Sequence, residues 1–263
     1  RRPQRCAFSR QAGTRIGTRT GTRQTFRSGP PEEDVTDAPF SAMTGPTINR
    51  LALFDCDGTL VDSQHNIVMC MNDAFGRAGL DAPDREATKR IVGLSLLPAM
   101  QALLPDADHA LHVQLAEDYK TAFHRLRHDG LVEEPLFDGI AEALDALEAE
   151  GWLLGVATGK SDRGLDLCLK HHGLRHRFVT LQTADRHPSK PHPSMVHEAM
   201  ADAGATPATT VMIGDTSFDM AMGVAAGARS LGVDWGYHTT DDLLDAGAFH
   251  IASHPAHILE VLR

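Results

Sequence analysis

The chain has 263 residues, 42% of them hydrophobic, and a formal net charge of −10. That length supports one large domain or two smaller ones, and the apolar content supports a packed core and argues against general disorder. The acidic balance excludes non-specific attraction to nucleic acid or anionic lipid, and no stretch approaches the roughly 20 apolar residues that cross a bilayer.

Residues 1–46 are rich in Arg, Thr, Gly and Pro and lack apolar periodicity, so no fold is expected there. They are read as a disordered or non-native N-terminal extension, with translation starting at Met43. A transit-like segment and a basic arm for an anionic partner are the alternatives. The cysteines Cys6, Cys56, Cys70 and Cys168 have no metal-site spacing, which points to a reducing, cytoplasmic setting.

From residue 51 onward, short apolar runs alternate with helical patterns. Buried parallel strands are expected at 51–54, 152–157, 178–181, 211–213 and 230–233. Helices are expected after Asp138 as a cap, from Ser161 to Gly173, and from about Pro193 to Ala203. The alternation predicts an α/β fold: a doubly wound, Rossmann-like parallel sheet covered by helices on both faces. Between the first strand and Pro135 no strand is expected. Ile67, Met71, Ala74, Phe75 and Ala78 share one helix face, and Leu111, Leu115, Tyr119, Ala122 and Leu126 another. The expected organisation is a core of residues 47–61 and 136–263 with a helical cap of 62–135, hinged near 62–65 and 130–135.

Ligands of a parallel α/β sheet bind beyond the carboxyl ends of its strands. Asp55 and Asp57 follow the first strand, Thr158-Gly159-Lys160 the second, a loop bearing Lys190 the third, and Gly214-Asp215 with Asp219 the fourth. Residues i and i+2 of an extended chain point the same way, which makes Asp55 and Asp57 neighbours. Four carboxylates in one cleft raise each other's pKa unless a cation joins them. Mg²⁺ suits such a site, because it takes one or two carboxylates, keeps waters and accepts a phosphate oxygen. One acid would then attack phosphorus while the other handles protons.

Each feature has a plainer reading. A lone D-x-D is usually a solvated turn, a lone G-D-T a helix cap and a lone Lys a surface residue. Their occurrence at four successive strand ends favours the functional reading. "GVATGKS" resembles a P-loop but has one residue too few between its glycines, so Lys160 is expected only to line the rim. The histidines are read as structural or surface groups, and Cys56 as a packing residue.

"DCDGTLVDS", "VATGKS", the Lys190 of "SKPHPSM" and "MIGDTSFDM" resemble, in order and spacing, the four motifs of the haloacid dehalogenase superfamily. The likeness runs from about Ile48 to Arg263, and the helical insertion matches the subclass with a type I cap, phosphoglycolate phosphatase-like. The resemblance implies Asp55 as nucleophile and Asp57 as acid and base. It implies Thr158, Gly159 and Lys190 around the phosphoryl group, and Asp55, the Asp57 carbonyl, Asp215 and Asp219 about Mg²⁺. In the cap, "KRIVGLSL" is the candidate substrate loop, with Arg90 and Ser95 as selecting residues.

The activity these features imply is a Mg²⁺-dependent phosphatase acting on a small phosphorylated metabolite through an aspartyl-phosphate. A phosphomutase of the β-phosphoglucomutase type and a non-catalytic phosphate-binding module are the alternatives. Oligomeric state is not legible.

Overall fold

The computed structural model describes residues 48–263; the expectations for residues 1–46 lie outside the described residues. The described residues form a six-stranded parallel sheet, ordered β3-β2-β1-β4-β5-β6. Its strands are β1 (Asn49–Phe54), β2 (Trp152–Thr158), β3 (Phe178–Thr183), β4 (Ala205–Gly214), β5 (Arg229–Val233) and β6 (His250–Ala252). The order runs outward from β1 in both directions, so the central crevice lies where β1, β2 and β4 end side by side.

β1 shows why both faces are covered. Ala52 and Phe54 point into one apolar layer with Leu144, Leu154, Ile213 and Leu231. Leu51 and Leu53 point into the other with Met195, Val196, Ala199 and Met212. A strand whose alternate residues are all apolar must be covered twice. α5 (Ile140–Ala149), α6 (Asp162–His171) and α10 (Pro255–Leu262) cover the first face, and α7 (Ser194–Ala203) and α8 (Ser217–Ala225) the second. α9 (Thr240–Asp245) packs beside β5 and β6. Each fully buried Leu or Phe contributes about 1.5–3 kcal/mol.

All five expected strands form. β6 was not expected: three residues are too few to show a period. The cap of α5 also differs from expectation. Its N-cap is Gly139, at φ 88°, rather than Asp138.

Between β1 and α5 the chain is helical: α1 (Gln64–Arg77), α2 (Arg85–Lys89), α3 (Leu96–Leu103) and α4 (His109–His128). These helices bury their own apolar faces, with Met71, Phe75, Met100 and Leu115 in one cluster and Cys70, Ala122 and Leu126 in another. The two segments joining this layer to the sheet run side by side. Asp62 N donates to Pro135 O (2.8 Å) and Phe137 N to Leu60 O (3.1 Å), around an antiparallel bridge of Val61 with Leu136. Among the described residues no helix is long and apolar enough to cross a membrane.

Candidate active site

Asp55 continues the β1 ladder by one residue, its N–H donating to Ile213 O at 2.9 Å. The chain then turns sharply, and Cys56 O accepts from the N–H groups of Leu60 (2.9 Å) and Val61 (3.0 Å). The turn gives the carboxylates of these two neighbouring acids different partners. Both line the same cavity, but the Asp57 carboxylate turns to the Ser63 hydroxyl and to Lys160 Nζ (2.8 Å). Asp55 instead meets the residues of β4 and α8.

Asp215 ends β4 and is fully buried; it accepts from Thr59 Oγ1 (2.7 Å) and from Tyr237 N (2.9 Å). Thr216 caps α8 in a reciprocal box with Asp219, whose Oδ2 accepts from Thr216 N (3.1 Å) and Oγ1 (2.6 Å). This fixes the spacing: the cap needs an acid three residues on, and the same acid has a second oxygen to spare. That oxygen, Oδ1, takes Lys190 Nζ at 2.6 Å, while the same ammonium lies 2.8 Å from Asp55 Oδ1.

One ligand atom each of Asp55, Asp215 and Asp219 lies within 4.8 Å of the others, and all three residues are buried. Burial pushes the Asp55 carboxyl up to about 7, and the charges of Asp219 and Asp57 add to this against the pull of Lys190. Asp215 is also raised, by burial and then by Asp55 and Asp219. Burial disfavours the charge on Lys190, but Asp219 and Asp55 outweigh it and hold the lysine charged. One ammonium against three carboxylates leaves an excess of buried negative charge, and Asp55 Oδ2 has no hydrogen-bond partner. Oxygen-only donors in a charge-deficient cluster fit a hard divalent cation.

Thr158 ends β2, Gly159 follows it, and both line the cavity with Asp55. Lys160 differs. Half-buried on the cavity wall, it does more than line a rim: its Nζ bridges Asp57 Oδ1 (2.8 Å) and Glu134 Oε1 (2.6 Å), and both carboxylates hold it charged against the effect of desolvation. Glu134 belongs to the segment returning from the helices, a long-range partner with no local signal in the sequence. The available sign was a lysine directly after the Thr158-Gly159 pair. Cys56 is fully buried beside Cys168, with its thiol pKa raised, consistent with a packing role.

A cavity of about 590 Å³ lies over this edge, walled on its far side by the helices. The loop 93–95 presses onto the core. A Cβ on Gly159 would stand 2.8 Å from the carbonyl oxygens of both Gly93 and Leu94, so only glycine allows this approach. Ser95 lines the cavity, and its N–H donates to Ser189 Oγ (2.9 Å). Arg90 does not line it. It caps the end of α2 and is exposed, while Thr88, two residues before it, points inward.

The profile of the haloacid dehalogenase-like hydrolases matches residues 52–233, which span every strand end described above. The chain belongs to this family. A probable phosphatase, IndB of Dickeya dadantii, is 38% identical over 199 residues, 73% of this chain and 84% of that protein. An N-acetylmuramic acid 6-phosphate phosphatase of Pseudomonas putida is 30% identical over 220 residues, covering 81% and 96%. A predicted phosphoglycolate phosphatase from Haemophilus somnus superposes with a TM-score of 0.72 at 22% identity, covering 83% of this chain and all of that one, which shows the shared fold. The helical layer over the sheet edge is the cap of a haloacid dehalogenase-like hydrolase.

Proposed function

We propose that this hydrolase is a Mg²⁺-dependent phosphatase that cleaves a small phosphomonoester in two steps. An oxygen of Asp55 attacks phosphorus, and the P–O bond to the substrate alcohol breaks as Asp57 gives that oxygen its proton. Asp57, now ionised, takes a proton from water as the water attacks the aspartyl-phosphate, which restores Asp55 and frees phosphate. Lys190 holds Asp55 in place and stays charged throughout. Thr158 and Gly159 border the space where the phosphoryl oxygens would lie. Asp55, Asp215 and Asp219, with the Asp57 carbonyl, would hold the Mg²⁺, which supplies positive charge against the phosphoryl oxygens. Lys160 positions Asp57, fixed in turn by Glu134 and assisted by Ser63.

The observation that carries this reading is Asp55 itself: a buried carboxylate at a cavity wall, paired with a buried lysine, with one oxygen unpartnered. The test is phosphate release from p-nitrophenyl phosphate with Mg²⁺, after chelation, and in Asp55→Asn. Chelation and the substitution should each abolish turnover, the latter by about 10³-fold or more, with the melting temperature kept. Near-wild-type activity in Asp55→Asn would remove the nucleophile assignment.

A further inference from the structure

Resting on the phosphatase reading above, we infer that the alcohol half of the substrate is neutral and ring-sized, rather than a short carboxylic acid such as glycolate. The cavity, about 590 Å³, falls in the range that encloses ligands of roughly 300–1,000 Å³, far more than a two-carbon acid fills. Its helical wall is apolar: Met71, Ile91, Leu94, Tyr119 and Phe123 face it. Tyr119 and Phe123 stand together, ring centroids 6.2 Å apart and tilted by 31°, and offer aromatic surface of the kind that packs on another ring.

A carboxylate enclosed there needs a cation of its own. The cations on the wall are engaged elsewhere. Lys160 is bound between Asp57 and Glu134, Arg127 reaches Glu134 at 3.5 Å, and Lys120 pairs with Glu117 at 2.7 Å. Arg163 is exposed at the opening, and Arg90 is off the cavity altogether. Glu117 and Asp185, also on the wall, add negative charge. Among its neutral polar groups, which include Tyr119 and His124, the wall offers one that is buried and without a hydrogen-bond partner, Ser95 Oγ. A buried hydroxyl left unpaired matches a hydroxyl or a ring heteroatom on a ligand. An apolar aromatic wall, one buried spare hydroxyl and no enclosed cation left unpaired together describe a neutral ring-bearing alcohol.

The experiment compares kcat/KM for benzyl phosphate and a nucleoside 5′-monophosphate with that for 2-phosphoglycolate. All three leave as primary alkoxides, so leaving-group chemistry is similar. With Mg²⁺ present, at least one ring ester should exceed phosphoglycolate by about tenfold or more, the scale on which pocket contacts discriminate. Phe123→Ala should lower the ring esters about tenfold more than phosphoglycolate. Phosphoglycolate turned over as well as or better than both ring esters would overturn the inference and leave the phosphatase reading standing. No turnover of any ester would remove the phosphatase reading, and the inference with it.

Discussion

The two walls of the cavity are built on opposite terms. On the sheet side the carboxyl groups are tied to partners: Asp219 to its cap and to Lys190, Asp215 to Thr59 and Tyr237, and Asp57 to Ser63 and Lys160. On the helical side the surface is mostly hydrocarbon, and its one buried hydroxyl, on Ser95, has no partner. A reaction whose charges shift within a fraction of an ångström needs donors and acceptors fixed in advance. Recognition of an apolar group needs only shape and exclusion of water. On the proposed phosphatase reading, the sheet wall carries the chemistry and the helical wall the choice of substrate.

The contrast can be broken first on the sheet side. Asp57→Asn should cost roughly 10²–10⁴-fold in turnover of alkyl phosphates, which need a proton on the departing oxygen. It should cost far less with p-nitrophenyl phosphate, whose phenolate leaves unaided. Lys160→Met should reproduce that dependence on leaving group at about tenfold to a hundredfold, or roughly 1.4–2.7 kcal/mol, and Lys160→Arg should recover part of it. An equal loss on both substrates would make Lys160 a structural residue only.

The boundary between the walls is tested by Gly159→Ala. Its Cβ would meet the Gly93 and Leu94 carbonyls at 2.8 Å and push the loop 93–95 off the core. About a tenfold drop in kcat/KM is expected, with the melting temperature nearly unchanged, because the apolar clusters of both layers are untouched. Unaltered kinetics would show that this contact is not needed in the reacting state.

The smallest effect sharpens the electrostatic side. A folded-state pKa of about 7 for Asp55, above its ordinary 3.8, means that the cation-free native protein binds more protons than the unfolded chain between those values. Stability from this group is present at low pH and lost as pH rises through 7. Bound Mg²⁺ would favour the ionised form and cancel the loss. The stabilisation by Mg²⁺ should therefore be larger at pH 8 than at pH 6, reaching about 2.7 kcal/mol at a hundredfold excess over Kd. Thermal melts with and without Mg²⁺ check it, and a gap that narrows with pH would contradict the assignment.

Most of the sheet was legible because nearly every strand is a short apolar run of its own and most of the useful side chains come soon after one. β6 was not, since His250–Ala252 is too brief to carry a pattern. The polar centre was legible as far as it lies at strand ends. Lys160 lay beyond that limit: its pairing depends on Glu134, brought back from the far end of the helical excursion by backbone pairing that no local spacing encodes. Arg90 failed for the converse reason. Its charge suited a carboxylate, but it sits at the exposed end of a five-residue helix and off the cavity, a placement that residue type does not reveal. Asp55 and Asp57 share one cavity, but the turn at Cys56 gives their carboxylates different partners, which the i, i+2 rule does not foretell.

The paired strands at Leu60–Asp62 and Pro135–Phe137 bring the entrance and exit of the helices to one doorway. An excursion that departs and returns at a single point imposes no register on the sheet below. Its length and composition can change so long as those backbone bonds, the Glu134 contact to Lys160 and the seat of loop 93–95 on the core remain. The fold can thus exchange one selector for another while the reacting groups keep their places, and a graft of foreign helices between those bonds is the direct way to re-aim this enzyme.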